Sequence, residues 1–213
     1  MKPQQLTTLV LDLGSVILPL NIAATYQAFE KLGARETLQK DHPLFHDWER
    51  GTTSPDQFLA AIRGELKFAA TNASIWEAWH AMLLPMPEDH IWQLKMLRKQ
   101  YRLVLLSNIN HAHEQQIKKM MGPFGYSHFL RQFHAIYYSH HVGMRKPDTE
   151  IFKKVLKDQK LKAAEVLFID DTEENIRAAE KLGISSLLFN PEKDAFTDLD
   201  KVLSARHSKI LGA

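Results

Sequence analysis

The sequence predicts an α/β protein whose doubly wound, Rossmann-like parallel sheet is interrupted by a helical module. Three observations carry this expectation. Five short segments are continuously apolar rather than alternating, the pattern of strands covered on both faces. Helical patterns separate the later ones, so the connections are right-handed crossovers between parallel strands. The interval 19–89 reads as helix, with no convincing strand.

The first strand is Leu9–Asp12, within LVLDLGSVIL. In the interval that follows, helices are expected at Ile22–Leu32, Pro55–Leu66 and Ser74–Leu84. Ser54-Pro55 supplies the N-cap and first-turn proline of the second of these. The sheet resumes at Arg102–Ser107. A helix from His111 to Met121 then ends at Gly122-Pro123, a stop signal. A third strand spans Ala135–Ser139. The helix Asp148–Lys157 carries Ile151, Val155 and Leu156 at helical spacing, and Val166–Asp170 forms the fourth strand. The helix Glu173–Leu182 closes on Gly183 as a C-cap, before a fifth strand at Ser186–Phe189. The expected division is a sheet-containing core from 1–18 and 90–213, with 19–89 inserted as a helical cap. Ligands of open parallel sheets bind beyond the carboxyl ends of the strands, and the insertion leaves from that end of strand one. It is placed to cover a site there.

Composition narrows the classes of function. The 213 residues are 45% hydrophobic and 24% charged, an ordinary globular balance. There is no cysteine, hence no disulfide framework and no thiolate metal site or nucleophile. A reducing compartment fits, and a cytoplasmic location is the default expectation. The N-terminal stretch MKPQQLTTLVLDLG lacks the features of a signal peptide, and no run approaches the ~18 apolar residues of a membrane helix. A net charge of +2 without a block of like charges gives no nucleic acid partner. The basic cluster KMLRKQYR, Lys95 to Arg102, alternates with apolar residues as a solvated helix face does.

Four strand ends carry, or lead directly into, polar groups of complementary type. They are Asp12, then Ser107-Asn108, then Lys146 in GMRKP, then Asp170-Asp171. A buried carboxylate costs several kcal/mol unless a cation or metal pairs with it. Three carboxylates and one lysine on a single sheet edge therefore call for a divalent cation, and all-oxygen ligation favours Mg²⁺. A phosphoryl group completes the charge balance.

With LVLDLGSV, LVLLSN, GMRKP and VLFIDDTEENI in this order, the chain resembles the phosphatases of the haloacid dehalogenase superfamily, in the branch with a helical cap after strand one. Within that branch DLGSV, LLSNINH, VGMRKP and FIDDTEENI look most like the bacterial α-D-glucose-1-phosphate phosphatases. The resemblance implies a Mg²⁺-dependent hydrolase of a small phosphorylated metabolite. Asp12 would be the nucleophile, forming an aspartyl-phosphate. Asp12, the Gly14 carbonyl and Asp171 would hold the metal, with Asp170 and Asn175 behind them. Ser107 and Asn108 would bind phosphoryl oxygens, together with Lys146, which keeps Asp12 ionised.

The family's usual residue two places after the nucleophile is a second aspartate, whose side chain protonates the leaving group. Gly14 keeps the carbonyl and loses the acid. General acid catalysis is worth ~10² to 10⁴ in rate. A sugar 1-phosphate suits the loss, because its anomeric oxygen leaves more readily than an alkoxide; otherwise water or a cap residue supplies the proton. Three other readings stay open. A 2-haloacid dehalogenase-like hydrolase shares the nucleophile, but characteristically lacks the acidic pair present here as Asp170-Asp171. A catalytically impaired phospho-ligand binding protein would explain Gly14 as lost activity. Phosphoryl transfer between sugars would use a long-lived aspartyl-phosphate.

Outside these motifs, HAH at 111–113 and HH at 140–141 lack the i, i+4 spacing of a helical zinc site, so surface or supporting roles are expected. His111, three places after Asn108, is near enough in sequence to touch the phosphoryl pocket. Trp76, Trp79 and Met82 recur at helical spacing and read as core. The stretch HDWERG, His46 to Gly51, resembles a specificity loop of the cap and offers Trp48, Glu49 and Arg50 as candidates.

Overall fold

The computed structural model describes residues 6–35, 38 and 42–211. Five parallel strands form one sheet: β1 (Thr8–Leu11), β2 (Arg102–Ser107), β3 (Ala135–Tyr138), β4 (Val166–Asp170) and β5 (Ser185–Leu188), in the order β3-β2-β1-β4-β5. The central position of β1 explains its composition. Leu9 and Leu11 point to one face and Val10 to the other, and all three are buried.

Leu9 and Leu11 join Leu103, Leu105 and Leu167 beneath α5 (Glu88–Arg98), α6 (His111–Leu130) and α10 (Leu199–Leu211). On the opposite face Val10, Val104, Leu106 and Phe168 pack against Ile151, Phe152 and Val155 of α8 (Thr149–Gln159) and Ile176 and Ala179 of α9 (Glu173–Glu180). The result is the expected three-layer doubly wound sheet. No helix among the described residues is long and apolar enough to cross a membrane.

Between β1 and α5 lie α1 (Ile22–Lys31), α2 (Pro43–Glu49), α3 (Pro55–Glu65) and α4 (Asn72–His80). They bury a core of their own, in which Phe29, Phe45, Trp48, Phe58, Ile62, Ile75 and Trp79 meet. Ser54 caps α3 through a full capping box with Gln57, as its sequence predicts. The helix expected at Ser74–Leu84 instead begins at Asn72, because Thr71 accepts a hydrogen bond from Ser74 N and so caps it earlier. It ends at His80, which leaves Met82 outside the helix.

Two further departures concern helix ends. Gly122 does break α6, at φ 69° and ψ 164°, but Pro123 then starts a second helical stretch that runs on to Leu130. A glycine followed by proline is a stop and a restart, since proline suits a first helical turn. Helix α2 runs into the stretch His46 to Gly51, expected as a loop. His46 to Glu49 are helical, and the chain turns only at Gly51, at φ 70°. The basic cluster from Lys95 likewise divides: Lys95 and Arg98 end α5, and Arg102 opens β2. The remaining short helix, α7 (Ser139–Val142), takes Ser139 out of the third strand.

Candidate active site

All four strand-end motifs converge on one cavity of about 740 Å³ at the carboxyl edge of the sheet, open to the inserted helices above. Asp12, Gly14, Ser107, Asn108, Lys146, Asp171 and Asn175 line it. Asp170 lies directly behind, fully buried.

Lys146 organises the floor. Its Nζ lies 2.8 Å from Asp12 Oδ1 and donates to Asp170 Oδ2 at 2.6 Å, and the side chain is 1% exposed. The position of that ammonium group is fixed from the neighbouring strand. Asn108 Oδ1 accepts from Lys146 N at 2.8 Å while Asn108 Nδ2 donates to Lys146 O at 2.8 Å. The Asn108 side chain is thus committed to the lysine backbone, which leaves its main chain to face a ligand. Asp170 spends its other oxygen on Thr172 N, at 2.8 Å, and on Asn175 Nδ2, at 2.9 Å. It is a holder of neighbours rather than an open ligand.

Burial pushes the Asp12 carboxyl up to about 7, against the pull of Lys146 and with help from Asp170 and Asp171. Burial works in the opposite sense on Lys146, yet Asp12 and Asp170 outweigh it and raise the lysine, so the ammonium form persists. One ammonium faces three carboxylates. Candidate ligand oxygens of Asp12, Asp170 and Asp171 lie within 4.8 Å of one another, a donor set of hard oxygens that fits Mg²⁺.

Gly14 has a structural explanation beyond missing chemistry. Its φ does not lie in the left-handed region; Ser15 takes that conformation instead, at φ 60°. A Cβ at position 14 would stand 2.8 Å from Leu20 Cδ1. The tip of the half-buried Leu20 side chain must turn aside to admit any side chain there.

The three cap candidates separate. Glu49 and Arg50 line the cavity and bind across it to the core: Arg145 Nε donates to Glu49 Oε2 at 2.9 Å, and Arg50 Nη2 donates to Asp148 Oδ2 at 3.0 Å. Trp48 goes elsewhere. On the opposite side of α2 it is 2% exposed and stacks on Phe58 at 4.8 Å, so it holds the inserted helices together instead of meeting a ligand. The same helical spacing that makes α2 amphipathic divides these neighbours between core and cavity.

Sequence reasoning missed Asn110 and His113. Asn110 Oδ1 caps α6 by accepting from His113 N at 2.9 Å and accepts from Trp79 Nε1 at 3.4 Å. His113 Nε2 donates to the Trp79 carbonyl at 2.9 Å, and its Nδ1 meets Asn110 Nδ2 at 3.2 Å. Burial pushes His113 down to about 4, so the ring stays neutral and keeps one donor and one acceptor. This network ties α4 to the start of α6, and both residues line the cavity beside Trp79. Trp79 therefore serves core and cavity alike. The asparagine cap was the one readable signal. His111 does not line the cavity.

The family model for haloacid dehalogenase-like hydrolases matches residues 22–189. A D-ribitol-5-phosphate phosphatase of Bacteroides thetaiotaomicron is 29% identical over 198 residues, 88% of this chain and 92% of that protein. A sesquiterpene phosphatase of Aspergillus oryzae is 26% identical over 180 residues, covering 84% and 87%. Among solved structures, a B. thetaiotaomicron enzyme of the same family, in complex with magnesium and inorganic phosphate, superposes with a TM-score of 0.78. It is 31% identical, over 89% of this chain and 96% of that one.

Proposed function

The chain belongs to the haloacid dehalogenase-like hydrolase family and acts on phosphate esters; we propose that it is a Mg²⁺-dependent phosphatase of a small phosphorylated metabolite, working through an aspartyl-phosphate. The observation that carries this reading is Lys146, buried between Asp12 and Asp170 on the cavity floor. One fixed cation holds Asp12 in place and offsets part of its charge, while the excess of carboxylate calls for a second cation.

Asp12 and Asp171, with the Gly14 carbonyl, would hold Mg²⁺, which when bound neutralises charge on the phosphoryl oxygens and on the carboxylates around them. Asp12 attacks phosphorus as the bond to the ester oxygen breaks, the departing oxygen takes its proton from water, and a second water then hydrolyses the aspartyl-phosphate to inorganic phosphate and frees the Asp12 carboxylate. Ser107 and the backbone around Asn108 orient the phosphoryl group. Asp170 and Asn175 keep Lys146 and the β4 turn in register. Residues 19–89 act as a cap over the core of 1–18 and 90–213.

No carboxylate stands at position 14 to protonate the departing oxygen. The preferred substrate is accordingly one with a good leaving oxygen, a sugar 1-phosphate. Tyr26, Phe45 and Trp79 offer flat apolar walls to a sugar ring, and His46, Glu49 and Arg50 offer polar contacts. The B. thetaiotaomicron relative named for ribitol 5-phosphate makes alditol phosphates the second class to test. The intact Asp170-Asp171 pair disfavours the dehalogenase reading, and Asp12, Lys146 and Asp171 together disfavour the non-catalytic binder. A turnover screen with Mg²⁺ over sugar 1-phosphates, sugar 6-phosphates, alditol phosphates and a prenyl phosphate tests the proposal, with Asp12→Asn as control. We expect turnover that EDTA abolishes and that is highest on a 1-phosphate. Metal-independent activity, or wild-type turnover by Asp12→Asn, would overturn the mechanism. A clear preference for 6-phosphates would remove only the leaving-group argument.

A further inference from the structure

Away from the cavity, the first turn of α6 and the short helix α7 bring four side chains to one point. His111 and Glu114, three residues apart, share a face of α6. His140 Nε2 lies 3.1 Å from Glu114 Oε2, and His141 Nε2 lies 3.2 Å from the same oxygen. Ligand atoms of His111, Glu114 and His140 all fall within 4.8 Å of one another. We propose that His111, Glu114 and His140, with His141 beside them, form a binding site for a divalent transition-metal ion of the Zn²⁺ type, separate from the carboxylate cluster.

Hydrogen-bond bookkeeping points to a cation. His140 Nδ1 lies 2.8 Å from the Ile109 carbonyl and Nε2 faces the Glu114 carboxylate, so both ring nitrogens meet acceptors. A neutral imidazole carries one N–H and satisfies one of them. The second contact requires an additional positive charge, either a proton or a metal ion. His141 Nε2 faces the same carboxylate oxygen, a contact that a neutral ring with its proton on Nε2 satisfies, and its ring centroid lies 4.1 Å from that of His140. A dication among His111, Glu114 and His140 would supply the charge that the two His140 contacts call for.

The surroundings have the form of a supporting shell. The Ile109 carbonyl fixes the His140 tautomer with Nε2 outward, and Tyr126 Oη donates to Glu114 Oε1 at 3.0 Å, leaving Oε2 for the ion. Imidazoles with one carboxylate suit Zn²⁺ and its neighbours, not Mg²⁺. No sequence spacing announces the site, because its ligands come from two elements on either side of β3.

Such an ion would join the α6 start, next to the Ser107-Asn108 loop, to α7. Helix α7 in turn supports α2: a Cβ at Gly51 would stand 2.5 Å from the His140 carbonyl oxygen. The site is a staple under the part of the insertion that carries Glu49 and Arg50, and the inference stands independently of the phosphatase reading.

The test is a Zn²⁺ titration of tag-free, metal-stripped full-length protein against a chromophoric chelator, with Mg²⁺ in excess, beside Co²⁺ visible absorption. His111 and His141 are exposed, so the His111→Ala/His141→Ala variant should melt as the metal-stripped wild type does. We expect one tightly bound equivalent of Zn²⁺ in wild type and in Asp171→Asn. In the double histidine variant the affinity should fall about tenfold or more and the Co²⁺ band should vanish. Absence of stoichiometric uptake, undiminished affinity in the double variant, or loss of binding in Asp171→Asn would each overturn the proposal.

Discussion

Replacing Lys146 by methionine removes the buried ammonium between Asp12 and Asp170 while keeping most of the side chain's length. In the native fold the ammonium contacts Asp12 at 2.8 Å and Asp170 at 2.6 Å, almost without solvent. Breaking a buried pair by deleting one partner typically costs about 3 to 5 kcal/mol, because the remaining charge stays buried. For a chain of this size each kcal/mol lowers Tm by roughly 2 to 4 °C, so Lys146→Met should melt about 6 to 20 °C below wild type. The loss should be largest without metal, when no cation offsets the clustered carboxylates of Asp12, Asp170 and Asp171, and saturating Mg²⁺ should recover part of it. Circular dichroism melts of both proteins, with Mg²⁺ and with EDTA, measure this directly. A variant that melts with wild type in EDTA, or gains less from Mg²⁺ than wild type does, would refute the account of the floor.

Other perturbations act on separate parts of the account. Folded Asp12 titrates at about 7 against an ordinary 3.8, so the metal-free fold holds a proton that the unfolded chain has released; its contribution to stability is present below 3.8 and is lost as pH rises to about 7. Mg²⁺ competes with that proton, and a thermal-shift titration should give tighter Mg²⁺ binding at about pH 8 than at about pH 5.5, with equal affinities counting against it. Asn110→Ala removes the α6 cap and the partner of Trp79 and His113, and should cost about 1 to 3 kcal/mol by urea unfolding. Gly14→Asp restores the missing carboxylate if Leu20 yields, and kcat on a 6-phosphate should then rise, by at most ~10² to 10⁴. Trp48→Ala should cost about 3 to 5 kcal/mol while leaving the ranking of substrates unchanged, whereas Glu49→Gln should alter KM with little loss of stability.

The contrast between Trp48 and its neighbours marks where the sequence stops being legible. Strand interiors such as RLVLLS and VLFID are apolar on both faces, so their burial and their parallel pairing could be read before any coordinates. Their polar ends follow directly, and Asp12, Lys146 and Asp171 met as the motifs implied. The inserted helices offer no such rule. Their aromatic residues serve a small core and a cavity wall alike, and only the angular position of each on its helix decides which. Trp48, Glu49 and Arg50 are adjacent in sequence and part company for that reason. Asn110 and His113 escaped because their role depends on Trp79, an element away. Gly14 was legible as missing chemistry, but its contact with Leu20 was not.

Chemical trapping shows whether Asp12 carries the phosphoryl group during turnover. Wild-type protein turning over a sugar 1-phosphate with Mg²⁺ is quenched and treated with borohydride, which reduces an acyl phosphate, and its peptides are mapped by mass. Modification is expected at Asp12, dependent on both substrate and Mg²⁺. Rapid burst turnover with Asp12 unmodified, or a trapped group on another side chain, would contradict it.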